Sequence, residues 1–84
     1  MKTVVVTGAT GVLGNLVAKT FAERGHNIAL LDKDSAKLDL LTRDLNLPSG
    51  RLYAQAVDLL DAAAVRDSAE AVHSKFGGVH ALIH

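Results

Sequence analysis

The chain has 84 residues, nine basic against nine acidic, with 49% hydrophobic and 4% aromatic content. That length suits one small domain, and the even charge with so few aromatics supplies neither the basic stripe nor the stacking array of a nucleic-acid binder. The absence of Cys removes disulfide and thiolate chemistry. No apolar run is long enough for a signal peptide or a membrane span, so a cytoplasmic location is the expectation.

A domain of this size buries only about 60–65% of its unfolded-chain surface, which makes the core marginal. That core must be built of Val, Leu, Ile and Ala, a composition suited to buried parallel strands under helices. The first such run is Thr3 to Thr7, β-branched and closed by Gly8, which reads as a buried strand. From Gly11 to Arg24 apolar residues recur at Leu13, Leu16, Val17, Thr20 and Phe21, a helical spacing, and Gly25 is placed to end that helix. Ile28 to Leu31 is a second buried strand.

Asp34 is positioned to cap a second helix with Leu38, Leu41 and Leu45 on one face, stopped by Pro48-Ser49-Gly50. Leu52 to Val57 reads as a third strand. Asp61 caps a third helix, with Leu60 and Val65 as a hydrophobic staple and Val65, Ala69, Val72 and Phe76 facing inward. Gly77-Gly78 breaks it, and Val79 to Ile83 forms a fourth strand. The order βαβαβαβ with short connections implies a three-layer α/β, Rossmann-like half domain over residues 1–84, its parallel sheet ordered 3-2-1-4.

Between the first strand and first helix lie Gly8, Gly11 and Gly14. Gly8 permits a tight turn, Gly11 lets the backbone approach a phosphate, and Gly14 allows close helix packing. The opening helix offers unpaired N–H groups and the positive end of its dipole, an anion site for a pyrophosphate. A turn that merely needs glycine is the plainer alternative. Asp32 ends the second strand, where a carboxylate would accept from ribose hydroxyls and repel a 2′-phosphate, favouring NAD. Lys33 beside it would instead favour NADP, and a solvated strand-end role for Asp32 stays open.

The segment Thr7-Gly8-Ala9-Thr10-Gly11-Val12-Leu13-Gly14 resembles the cofactor loop of the short-chain dehydrogenase/reductase family. Its glycine spacing is similar to the extended and atypical branches. Val57-Asp58-Leu59 resembles that family's Asp-apolar pair after the third strand, and Lys75 to Ile83 its lead into strand four, in the form typical of the commonest branch. The resemblance spans the chain. It implies NAD or NADP, held by Thr7, Gly8, Thr10, Gly11, Val12, Leu13 and Gly14, by Asp32 or Lys33 at the ribose, and by Asp58 and Leu59 at the adenine. From the residues alone, Asp58 could equally cap a turn.

The family's Asn-Ala-Gly segment would begin at His84, where the chain stops. Its catalytic Ser and Tyr-x-x-x-Lys pair have no counterpart: the one Tyr, Tyr53, is followed four residues later by Val57. Without that pair no general acid serves hydride transfer, so no catalytic residue is assigned and the chain alone is expected to be inactive. His80 and His84 share one strand face but lack a third ligand, so no metal is assigned. His26 is expected to be exposed, and Ser35, Ser49, Ser68 and Ser74 to be solvated or capping. An apolar edge at Val79 to Ile83 is expected to seek a second copy, giving a homodimer or larger homo-oligomer through edge-to-edge strand pairing or helix packing. Two functional classes stay open: a dinucleotide- or adenine-nucleotide-binding module, and a non-catalytic folding or assembly fragment.

Overall fold

The computed structural model describes residues 2–84; Met1, the first residue of the expected domain, lies outside them. Four strands, β1 (Thr3–Thr7), β2 (Asn27–Asp32), β3 (Leu52–Ala56) and β4 (Ala81–Ile83), alternate with α1 (Val12–Glu23), α2 (Ser35–Leu45) and α3 (Ala62–Phe76). The sheet is parallel and ordered β3-β2-β1-β4, as the alternation of elements requires.

Side-chain alternation divides β1 and β2 between two cores. Val4, Val6, Ile28 and Leu30 point to one face, under Ala18 and Ala22 of α1 and Leu38 and Leu41 of α2. Val5, Ala29 and Leu31 point to the other, under Val65, Val72 and Phe76 of α3. Ile28 and Leu30 are fully buried, each contributing about 1.5–3 kcal/mol of transfer free energy. The fold is thus three layers, with α3 alone on its face.

The helix ends follow local chemistry. Asp34 and Asp61 cap α2 and α3, their side chains accepting from the N–H groups of Lys37 and Ala64. The end of α1 is closed by the His26 N–H on the Phe21 carbonyl and the Gly25 N–H on the Ala22 carbonyl, with Gly25 left-handed at φ 86°. At the end of α2 the left-handed residue is Asn46, φ 49°, ahead of the expected stop. Pro48-Ser49-Gly50 instead leads into a single 3-10 turn, Ser49–Arg51.

Four packing expectations need correction. Leu13 and Leu16 of α1 are exposed, at 72% and 61%, and the buried face is Ala18 and Ala22. Val17 and Phe21, also expected on that face, pack partly buried against the same core. Leu60 is 94% exposed, so it forms no staple with Val65. On α3 Ser68 is buried, so one serine expected to be solvated is a core residue, whereas Ala69 is exposed and lines the open groove beside β4. His26 is half-buried against Phe21, their ring centroids 5.8 Å apart. β3 and β4 are shorter than expected, Val57 falling just past β3 and Val79 before β4, whereas β2 extends one residue further at each end.

Arg51 ties the sheet's outer edge to α1, its guanidinium donating to the carbonyls of Ala22 (3.1 Å) and His26 (2.8 Å). Those carbonyls lie at and just beyond the negative end of the helix dipole, which favours a cation. Its Nε is buried without a partner, which offsets part of the gain. Replacing Arg51 with Met keeps the stem and removes the fork. The expected loss is about 1.5 kcal/mol, the low end for hydrogen bonds from a charged group, read as a lower urea midpoint at constant m-value.

Candidate functional site

The strands of a parallel sheet all end on one side, and there β1 passes into the loop of residues 8–11. Gly8 takes φ 63°, which a side chain disfavours, and its carbonyl accepts from the Gly11 N–H at 3.1 Å, closing the turn. Gly14 sits hard against this turn: a Cβ there would stand 2.4 Å from the Gly8 carbonyl oxygen and 2.9 Å from the Ala9 Cα. The close approach expected of Gly14 is therefore real, and its partner is the loop backbone. Gly11 meets no such internal crowding, its virtual Cβ lying 3.4 Å from the Gly8 oxygen.

Gly11 is also the N-cap of α1 and brings no side-chain acceptor. The first-turn N–H groups of a helix have no intrahelical partners, so this end faces outward uncapped. Val12 and Leu13 are exposed beside it. Thr7, Gly8, Gly11, Val12, Leu13 and Gly14 line one cleft of about 340 Å³, together with Ile83 and His84 from β4 and the chain end.

A second cleft, about 280 Å³, opens on the other side of Gly8. Asp32, Lys33, Val57, Asp58, Leu59 and Leu60 line it. Gly8 belongs to both clefts, so the glycine loop, the end of β2 and the segment after β3 converge there, as the sequence pattern implies. Asp58 is exposed, and its Oδ1 accepts from the Leu60 N–H at 2.9 Å, a turn-forming contact that leaves Oδ2 unengaged. Lys33 is exposed.

The sequence does not reveal that Asp32 and Thr10 bond directly. Asp32 Oδ2 accepts from the Thr10 N–H at 3.1 Å and the Thr10 hydroxyl at 2.7 Å, and Oδ1 accepts from the Asp34 N–H at 3.1 Å. Partial burial pushes the Asp32 carboxyl up. The hydrogen bonds from the Thr10 hydroxyl and the N–H groups of Thr10, Asp34 and Lys33 outweigh it and hold the carboxyl below the ordinary aspartate range.

The two histidines that flank β4 bond to β1. The Thr3 N–H donates to His80 Nδ1 at 3.0 Å, and Thr7 Oγ1 lies 2.6 Å from His84 Nδ1. Both rings thus serve the pairing of β4 with β1. Among the described residues no three His, Cys, Asp or Glu side chains gather in a metal-binding cluster.

Residues 2–84 match the short chain dehydrogenase family. The chain belongs to that family. It is similar to the oxidoreductase UxuB of Bacillus subtilis, 31% identical over 99% of this chain and 30% of that protein, and to D-threitol dehydrogenase of Mycolicibacterium smegmatis, 32% identical over 99% and 32%. This short-chain dehydrogenase sequence thus spans about a third of the length of the curated relatives it matches. Among solved structures, 3-ketoacyl-(acyl-carrier-protein) reductase from Brucella melitensis, complexed with NADH, superposes with a TM-score of 0.86 at 32% identity, covering 96% of this chain and 32% of that one. A metagenomic short-chain oxidoreductase in complex with NADP gives 0.86 at 27% identity, over 96% and 37%.

Two measurements test the site's construction. Gly14→Ala must push the loop and α1 apart, at an overpacking cost of about 1–3 kcal/mol, visible as a lower thermal midpoint. The lowered Asp32 pKa stabilises the fold above the ordinary aspartate range near about pH 4, and that contribution is lost as pH falls through the lower native value. The stability gap between wild type and Asp32→Asn should therefore narrow between neutral pH and about pH 2, in urea titrations at each pH.

Proposed function

We propose that this chain is the adenosine- and pyrophosphate-binding part of a short-chain dehydrogenase-type oxidoreductase that uses NAD or NADP. The observation that carries the reading is the convergence, at Gly8, of an uncapped helix end on one side and Asp32, Asp58 and Leu59 on the other. The residues fit a dinucleotide. In this reading the N–H groups from Gly8 to Gly14 hold the pyrophosphate, with Thr7, Thr10, Val12 and Leu13 beside it. Asp32 accepts from the ribose, and Asp58 and Leu59 meet the adenine.

NAD is the favoured cofactor, because Asp32 lines the cleft as an aspartate ionised at neutral pH and a 2′-phosphate would meet that charge. Lys33, exposed in the same cleft, is the feature that would serve NADP. The solved relatives with NADH and with NADP support dinucleotide binding without choosing between the two. When bound, the nicotinamide supplies the hydride chemistry. These 84 residues contain no Tyr-x-x-x-Lys pair to move the accompanying proton, so the chain by itself is proposed to bind and not to turn over substrate.

Calorimetric titration with NAD, NADP and ADP tests the reading. NAD and ADP should bind, and Asp32→Ala should weaken both by roughly tenfold or more, the value of a hydrogen bond to a charged group, while NADP loses less or gains. Absence of binding by all three at millimolar concentration would overturn it.

A second feature favours self-association of the 84-residue chain through the β4 edge, Val79 to Ile83. Leu82 is 62% exposed on a strand paired only with β1. Beside it an apolar groove of about 370 Å³ runs between Val79 and Leu82 on one side and Val65, Ala69 and Val72 of α3 on the other. Such edges seek partners. Sedimentation at micromolar concentration should show a dimer or larger species that Leu82→Lys dissociates; a folded wild-type monomer would sink this part of the reading.

A further inference from the structure

A strand at the margin of a sheet bonds its neighbour through alternate residues and turns the others outward, where a further strand can add. The Val57 N–H, donating to the Asp32 carbonyl at 2.9 Å, sets that alternation on β3: odd-numbered residues face β2, and Leu52, Ala54 and Ala56 face out. Much of this outward row is already taken. The Leu52 N–H donates to the Ser49 carbonyl of the 3-10 turn. The Leu52 carbonyl accepts from Lys75 Nζ at 2.7 Å, and the Ala56 carbonyl accepts from Gln55 Nε2 at 3.0 Å. The Lys75 ammonium also stands 5.7 Å from the centre of the Phe76 ring, which packs against the core under α3. Ala54 and the Ala56 N–H are what remains for a partner.

The opposite edge is built the other way. The His80 N–H donates to the Thr3 carbonyl at 2.9 Å, so His80 and Leu82 face β1 and Ala81 and Ile83 face out. Among the described residues the side-chain bonds at β4, made by His80, Thr7 and His84, join it to β1, and none reaches Ala81. The sheet therefore has one closed edge and one open edge. We propose that Lys75 and Gln55 guard β3 against strand addition, so that a second copy of the 84-residue chain joins at β4 alone. Two β4 edges meeting about a twofold axis use up both open edges, and assembly stops at a pair. A β4 edge added to β3 would leave one β4 exposed after every addition, and the sheet would grow without closing. The inference rests on the reading of β4 as the edge of self-association.

Lys75→Ser combined with Gln55→Thr removes both guards and keeps polar side chains at both positions. Lys75→Arg keeps a donor, and Lys19→Ser makes the same change of charge on α1, away from the edge. Sedimentation from micromolar to near-millimolar concentration reads the assembly, and circular dichroism follows the fold. Wild type, Lys75→Arg and Lys19→Ser should stop at a dimer. The unguarded variant should keep its helix signal and exceed the dimer mass by roughly twofold or more, still rising with concentration. Adding Leu82→Lys to it should abolish that growth, because each step needs a β4 edge. Lys75→Ser alone frees the Leu52 carbonyl without a change in β3, and it carries the test if the paired variant unfolds.

A dimeric wild type beside unguarded variants that also stay dimeric overturns the proposal, while the β4 reading stands. Unlimited growth of the wild type, or equal growth of Lys19→Ser, overturns it too, because the guards then decide nothing. Growth that survives Leu82→Lys runs through another surface and has the same consequence. A folded wild-type monomer removes the self-association reading and this proposal with it.

Discussion

A side-chain carbon at Gly14 would stand 2.4 Å from the carbonyl oxygen of Gly8, closer than any real Cβ contact. That single approach sets where α1 begins and how near it lies to the end of β1. Because the helix starts so close, its first turn points its free N–H groups across the carboxyl end of the sheet. The same proximity puts Thr10, two residues beyond Gly8, within reach of the Asp32 carboxylate on the neighbouring strand. The loop, the helix dipole and the acidic residue of β2 are thus arranged by one absence of a side chain.

The constraint continues along α1. Gly14, Ala18 and Ala22 recur every fourth residue on the side that meets the sheet, and Ala18 and Ala22 are buried. At these three positions the helix approaches the sheet on small side chains, and Val17 and Phe21 pack at the margin of the same core. The larger residues Leu13 and Leu16 are turned outward, and α1 carries an apolar outer face beside the loop. On the opposite layer α3 stands alone and leaves the groove between itself and β4. Apart from Leu40 on α2, the large exposed apolar side chains lie around the glycine loop, the segment after β3 and the last strand.

Much of this was legible in the residues. The βαβαβαβ order, the aspartate caps at Asp34 and Asp61 and the left-handed Gly25 are local matters, decided by residues close in the chain, and the sheet order follows from that alternation through the rule of right-handed crossovers. The glycine loop and Asp32 were legible for the same reason, since each stands at the end of a short apolar run. On α1 the expected Val17 and Phe21 do pack on the core, whereas Leu13 and Leu16 were misread because hydrophobicity ranks Leu above Ala and the fully buried positions are Ala18 and Ala22. Leu60 failed as a staple although the spacing was right, because a staple also needs the preceding residue to fold back, and Leu60 points away.

By itself the sequence determined which segments become strands and helices, how they are capped, and which residues stand at the carboxyl ends of the strands. Those properties depend on backbone propensity and on side chains a few positions apart. Only the tertiary structure decided that Thr10 and Asp32, 22 residues apart, share hydrogen bonds, that Ser68 is buried while Leu16 is not, and that His80 and His84 bond to β1. Each of these depends on the distance between elements remote in the chain, and that distance is fixed by packing, the smallest side chain at each contact deciding how near the two backbones come.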